Sequence, residues 1–240
     1  MKNIDYVFHL AAEIAVEDSM KNPLKTIEVN TFGSLNILQA ALKNGVKKVM
    51  LASSAAIYGD NKSLPLTELD LPQPKSPYGI TKLSMENYAR MYNDFGLKTI
   101  CLRGFNVYGP RQNPNSQYAA VVPHFISRVL KNEKLLIHGD GNQTRDFVYV
   151  KDIVSAYLLA MKKGVGIFNI GRGKKVSIVQ LAKIILQTIK SDSKIKYSEE
   201  REGDIKHSIS SIKKAKNVLG FYSKYNLDKG IRETINHFSD

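Results

Sequence analysis

Ser76-Pro77-Tyr78-Gly79-Ile80-Thr81-Lys82 sets a tyrosine and a lysine four residues apart at the head of a stretch with helical periodicity, Tyr78 to Phe95. In a helix this i, i+4 spacing stacks both side chains on one face. A phenol, whose ordinary pKa is about 10, is drawn towards its anion by a neighbouring ammonium, so the pair reads as a base assisted by a cation. Such pairs also arise by chance, and the surroundings decide the matter. Upstream, the apolar run Lys48 to Ser53 predicts a strand, with Ser54 just past its end. Ligands of open α/β sheets bind beyond the carboxyl ends of their strands. Ser54, Tyr78 and Lys82 are therefore the candidate catalytic residues: a hydroxyl, a base and a cation.

Outward from this centre the chain alternates. Tyr6 to Leu10 predicts a strand, Pro23 to Asn44 a helix stopping at Gly45, Lys48 to Ser53 a strand, Tyr78 to Phe95 a helix and Thr99 to Arg103 a strand. Short apolar runs alternating with helical stretches predict a largely parallel sheet covered by helices. Beyond Pro110 the alternation weakens. Helices are expected near Val121 to Asn132, Ile153 to Lys163, Ile178 to Lys190 with Ser177 as N-cap, Ser211 to Leu219 stopping at Gly220, and Leu227 to Phe238, with short strands at Leu135 to Ile137 and Phe147 to Val150. The expected organisation is a main domain over 1–110 and a smaller lobe over 111–240, of which 139–170 partly returns to the main sheet.

The chain has 240 residues, 43% of them hydrophobic, enough to bury a core. No apolar run reaches the roughly 18 residues of a membrane span, the N-terminus carries no secretory h-region, and a cytoplasmic protein is expected. The net charge of +13 comes from lysines scattered along the chain rather than gathered in one block, and tryptophan is absent. A solvated surface biased towards anionic substrates is favoured over nucleic acid, and neither a membrane nor a metal partner is expected. The single cysteine, Cys101, sits in an apolar run and reads as a small buried hydrophobe.

The stretches Leu51-Ala52-Ser53-Ser54-Ala55-Ala56-Ile57-Tyr58-Gly59 and Ser76 to Lys82 resemble the UDP-glucose 4-epimerase branch of the extended short-chain dehydrogenases. The likeness continues in order. His9-Leu10-Ala11-Ala12 is similar to a loop passing the cofactor, and Asn30 with Gly33 matches an N-x-x-G-[ST] helix motif. Arg103 to Arg111 is similar to the segment that carries a nicotinamide contact at Phe105 and a substrate contact at Asn106. Gly139 to Phe147 is similar to a sugar-nucleotide loop in which Arg145 meets the diphosphate, and Arg201 with Asp204 matches a late R-x-x-D pair. The resemblance implies NAD as cofactor, held by Leu10, Ala11, Ala12, Asn30, Ser54, Tyr78, Lys82 and Phe105. It implies a nucleoside-diphosphate sugar as substrate, held by Ser54, Tyr78, Asn106, Val121, Arg145, Arg201, Asp204 and Ser208, and a homodimer. Ser53 stands beside Ser54 as an alternative hydroxyl, which the family pattern disfavours, and His9 reads as a structural hydrogen-bonder. A guanidinium suits a diphosphate because its fork donates two parallel hydrogen bonds.

By the same resemblance, Met1 opens on what would be the fourth strand, so the expected fold is α/β: a partial Rossmann-like doubly wound parallel sheet, first three strands missing, with a smaller C-terminal substrate-binding lobe. Gly139-Asp140-Gly141 and Gly171-Arg172-Gly173 are the nearest glycine-rich candidates, and neither completes a dinucleotide-binding spacing. An exposed sheet edge and impaired activity are expected in consequence. The implied reaction is epimerisation at the sugar C4. The rivals are a 4,6-dehydratase or decarboxylase on the same scaffold, in which an acid closely follows the catalytic hydroxyl where this chain has Ala55 and Ala56, or a non-catalytic fragment.

Overall fold

A computed structural model describes residues 1–114, 120–200 and 205–239. The chain runs through β1 (Tyr6–His9), α1 (Val16–Lys21), α2 (Pro23–Ile27), a π-helical turn (Glu28–Phe32), α3 (Gly33–Lys43), β2 (Lys48–Ser54), a 3-10 turn (Ala55–Tyr58), α4 (Pro77–Asp94) and β3 (Lys98–Gly104). It continues through β4 (Val107–Tyr108), α5 (Val121–Leu130), β5 (Leu135–His138), β6 (Thr144–Arg145), β7 (Val148–Tyr149), α6 (Val150–Lys162), β8 (Gly166–Ile170), β9 (Val176–Ser177), α7 (Ile178–Ile189), β10 (Ile195–Ser198), a second π-helical turn (Ala215–Leu219) and α8 (Leu227–Ser239).

The main sheet has four parallel strands in the order β1-β2-β3-β8. Its two faces follow the period-two rule of a strand. Val49, Leu51 and Cys101 pack under Leu38 and Ala41 of α3 and Met85 and Ala89 of α4. The intervening Met50, Ile100 and Leu102 pack against Ala156, Tyr157 and Ala160 of α6. Both faces being covered explains why β2 and β3 read as continuous apolar runs. Lys48 is buried because its Nζ caps α6, donating to the carbonyls of Ala160 at 2.5 Å and Lys163 at 2.9 Å. A separate apolar core, built from α5, α7, α8 and β5, fills the C-terminal lobe, and β8 crosses from that half of the chain into the main sheet.

β1 pairs with β2 on one side and is an edge strand, with Tyr6 and Phe8 each 40% exposed. Several expected elements differ in detail. The helix expected over Pro23 to Asn44 is interrupted by the first π-helical turn, and the one expected over Ser211 to Leu219 narrows to the second, closed by Gly220 at φ +74°. The strand expected at Phe147 to Val150 is the two-residue β7, because Val150 already begins α6. β10 was not expected: its Ile195, Lys196, Tyr197 and Ser198 carry little apolar signal, and its pairing with the distant β5 makes it a strand.

Candidate active site

α4 begins where the sequence demands. Ser76, extended at φ −146°, accepts a hydrogen bond from the Gly79 amide, and Pro77 occupies the first turn, where its missing N–H costs nothing. The start of the helix is thereby defined, and Tyr78 and Lys82 share the face turned to the sheet. Ser54 ends β2 and caps the 3-10 turn, its Oγ accepting from the Ala56 amide at 3.1 Å, and its side chain faces the Tyr78 phenol closely enough to lower that group's pKa. Ser53 faces elsewhere, with its Oγ 2.5 Å from Glu86 Oε1. The geometry therefore separates the two serines and puts Ser54 against the base.

Lys82 is buried, donates to the Ala52 carbonyl at 2.7 Å, and has its Nζ 5.6 Å from the centre of the Tyr78 ring. Burial lowers its pKa to about 8. The expected lowering of the Tyr78 pKa by Lys82 is corrected here. Burial raises the Tyr78 pKa, the neighbouring Ser54 partly opposes it, and the ammonium is spent on Ala52 rather than on the phenol oxygen.

Two further expected cofactor contacts, Asn30 and Phe105, are buried. Asn30, in the first π-helical turn, is buried, and its amide is fully engaged: Oδ1 accepts from the Glu13 amide at 2.8 Å, while Nδ2 donates to the Glu13 carbonyl at 2.9 Å and to Thr81 Oγ1 at 3.1 Å. It clamps the loop after β1 to α4. The Phe105 ring is 1% exposed among Ile57, Tyr58 and Leu66, which leaves only its main chain to meet a nicotinamide, and its N–H already donates to the Ile170 carbonyl.

Leu10, Ala11 and Ala12 form the loop beyond β1, with Leu10 exposed. Asn106 is exposed past the end of β3, and Val121 opens α5. Arg145 lies in β6, which pairs with β9 and runs beside His207, and its Nη1 donates to the Thr144 carbonyl at 3.0 Å. Ser208 is buried, its amide bonded to the Thr144 carbonyl at 3.0 Å, so it lines the same strand as Arg145. Arg201 and Asp204 lie outside the described residues. His9 donates to or accepts from Ser34 Oγ at 2.9 Å, and the Cys101 thiol is buried with its pKa driven up.

The profile of the NAD dependent epimerase/dehydratase family matches residues 1–171. The chain belongs to that family. It superposes on the UDP-glucose 4-epimerase of Thermotoga maritima, solved with UDP-glucose, with a TM-score of 0.95 and 43% identity over 98% of this chain and 77% of that one. It matches the UDP-N-acetylglucosamine 4-epimerase of Methanobrevibacter ruminantium, solved with UDP-N-acetylmuramic acid, with a TM-score of 0.97 and 42% identity over 99% of this chain and 77% of that one. A curated relative, the UDP-N-acetyl-alpha-D-glucosaminuronate decarboxylase of Bacillus cytotoxicus, is 37% identical over 98% of this chain and 77% of its own length. The chain is thus an NAD-dependent sugar-nucleotide enzyme by family, and its relatives span more than one reaction.

The residues present fit the nicotinamide end of the family's cofactor. Tyr78, Lys82 and the loop after β1 converge at the carboxyl ends of β1 and β2. Neither glycine pair is a phosphate cradle. The amides of Arg172 and Gly173 already donate to the buried Asp146 carboxylate, each at 2.9 Å, and a Cβ on Gly171 would strike Asp146 and Ser210. Gly141 packs against Ile137 and Val179. Glu86 and Arg103 were missed in the sequence, although Glu86 stands one helical turn beyond Lys82 and could have been found by extending the Tyr78 face.

Proposed function

We propose that this chain is a UDP-hexose 4-epimerase of the UDP-glucose/UDP-galactose type. The carrying observation is the turn behind the catalytic hydroxyl. Ser54 is followed by Ala55 and Ala56 in the 3-10 turn, so no carboxyl group stands there to assist an elimination or decarboxylation after oxidation. A site with a hydroxyl, a phenol and an ammonium can move one proton to and from one oxygen, and reversible oxidation at a single carbon asks for nothing more.

In this reading Tyr78 takes the proton from the sugar O4 and later returns it, Ser54 hydrogen-bonds the same oxygen as it becomes a ketone, and Lys82 holds the nicotinamide ribose. NAD, when bound, would supply the hydride acceptor and donor for this oxidation and reduction at C4, and inversion requires the 4-keto sugar to turn over between Tyr78 and Ser54. Arg145 meets the diphosphate with its planar fork, and Asn106, Val121 and Ser208 border the sugar nucleotide. Arg201 and Asp204 complete the nucleotide contacts by resemblance.

The experiment is to incubate the protein with NAD and UDP-galactose and follow the anomeric protons by NMR. UDP-glucose as the sole new sugar nucleotide supports epimerisation. A 4-keto-6-deoxy product, or carbon dioxide released in a parallel incubation with a UDP-uronic acid, would transfer the chain to the dehydratase or decarboxylase reading that its relatives also represent.

A further inference from the structure

Glu86 is buried at 2% exposure on α4, four residues beyond Lys82 and eight beyond Tyr78 on the same helix face, and the catalytic set does not use it. Its Oε1 accepts from Ser53 Oγ at 2.5 Å and from Arg103 Nε at 2.8 Å, and its Oε2 accepts from Arg103 Nη2 at 2.7 Å. Arg103, equally buried near the end of β3, spends Nη1 on the Tyr58 hydroxyl at 2.7 Å and lies 4.8 Å from the centre of that ring. The Tyr58 hydroxyl in turn donates to Asn169 Oδ1 of β8 at 2.7 Å.

Stability alone is a poor account of such a cluster. A buried ion pair recovers its desolvation cost only through good geometry, and apolar residues of similar volume often serve the fold as well. What distinguishes this one is its neighbours. Ser53 precedes Ser54, Glu86 stands one turn from Lys82, Tyr58 closes the 3-10 turn that Ser54 caps, and Arg103 is three residues before Asn106. The contacts of Met85 and Ala89 with the sheet are apolar and non-directional, and the other polar ties of α4 to β2 and β3, Lys82 to the Ala52 carbonyl and Thr99 to the Ala89 carbonyl, are single hydrogen bonds. A bidentate carboxylate–guanidinium fork, by contrast, specifies distance and orientation together.

We infer that Ser53, Glu86, Arg103 and Tyr58 form a positioning device for the proton-transfer site, holding α4, β2 and β3 in the one relation that sets the Tyr78 hydroxyl against Ser54. The inference rests on the reading of Tyr78 as the base. Each of the four acts through Ser54, Tyr78 or Lys82.

The test is the double variant Glu86→Leu/Arg103→Met, which removes both charges together and leaves neither uncompensated. Three quantities are read: the melting temperature, the titration midpoint of Tyr78 by NMR of protein labelled with ¹³C at tyrosine Cζ (assigned with Tyr78→Phe), and kcat against KM. The other titratable groups facing Tyr78 or its partner Lys82 are Tyr157, His9 and Cys101, all left in place, and of these Cys101 also feels Glu86 and Arg103. The expected result is a melting temperature within a few degrees of wild type and a Tyr78 midpoint raised by about half a pH unit or more as Ser54 loses its place beside the phenol. With them go a kcat lowered about tenfold or more and a KM changed less than about twofold. A double variant that keeps both the wild-type midpoint and the wild-type kcat overturns the proposal, because the cluster then only packs. If that variant does not fold, Ser53→Ala and Tyr58→Phe each cut one link and are judged by the same midpoint, and an unmoved midpoint in both overturns it. Wild-type protein inactive on UDP-hexoses would defeat the epimerase reading, while the NMR titration, which needs no substrate, would still decide the positioning role.

Discussion

Lys82 Nζ donates to the Ala52 carbonyl at 2.7 Å, and this bond ties the catalytic helix to β2 two residues before Ser54. The cation is thus held by the strand whose end carries the hydroxyl, while its burial makes the charge costly and brings its pKa down to about 8.

That cost has a measurable sign. In the unfolded chain Lys82 keeps its ordinary pKa near 10.5, so between about pH 8 and pH 10.5 the unfolded state binds more protons than the folded one. Lys82 therefore makes stability rise with pH across that window, against the buried tyrosines, whose raised pKa values act oppositely as pH climbs further. The expected outcome is that the stability gap between wild type and Lys82→Met shifts in favour of wild type between pH 8 and pH 9.5 in urea titrations. A gap independent of pH would mean that Lys82 is not buried as a costly charge.

Tyr78→Phe removes the proposed base and leaves the ring in place. Turnover of UDP-galactose should fall by roughly 10²- to 10⁴-fold, the range of positioned acid–base catalysis, while the folded state persists because the ring still packs. Near-wild-type turnover in this variant would falsify the assignment.

The resemblance to the epimerases puts Ser208 beside the sugar's 2-substituent, and its 8% exposure shows that it is not an ordinary surface residue. The adjacent His207 is exposed, with Nδ1 3.0 Å from Thr144 Oγ1. A serine leaves room for an N-acetyl group that a phenol ring would fill, and packed sites yield little. The expected result for Ser208→Tyr is a kcat/KM for UDP-N-acetylgalactosamine lowered at least about tenfold more than that for UDP-galactose. Equal loss on both substrates would remove Ser208 from this role.

Asp146 is fully buried and accepts from the amides of Arg172, Gly173 and Ser210 and from Ser210 Oγ, fastening the loop after β8 and the chain near Ser208 beneath Arg145. Asp146→Ala strands several buried donors at once and should cost about 3 kcal/mol or more of unfolding free energy. In urea denaturation a loss below about 1 kcal/mol would show that water replaces the carboxylate. KM for the sugar nucleotide should rise with the loss, since Arg145 shares the loosened segment.

The sequence by itself determined the alternation of strands and helices, the helix that carries Tyr78 and Lys82 on one face, and the strand end that presents Ser54. These follow from local rules: apolar runs of strand length, the Ser76-Pro77 start and the four-residue spacing all act within a few residues of one another. Tertiary structure decided everything that depends on where a side chain points across elements. Ser53 and Ser54 are equivalent by composition, and only the pleat of β2 sends one to Glu86 and the other to Tyr78. The π-helical turn consumes the Asn30 amide on Glu13 and Thr81, and the cluster of Ile57, Tyr58 and Leu66 takes in the Phe105 ring. Glu86 and Arg103, seventeen residues apart in a chain with 35 basic and 22 acidic side chains, become one buried pair only when α4 lies on β3. Burial sets the energetics of these groups, and burial is a property of the assembled layers rather than of any one segment.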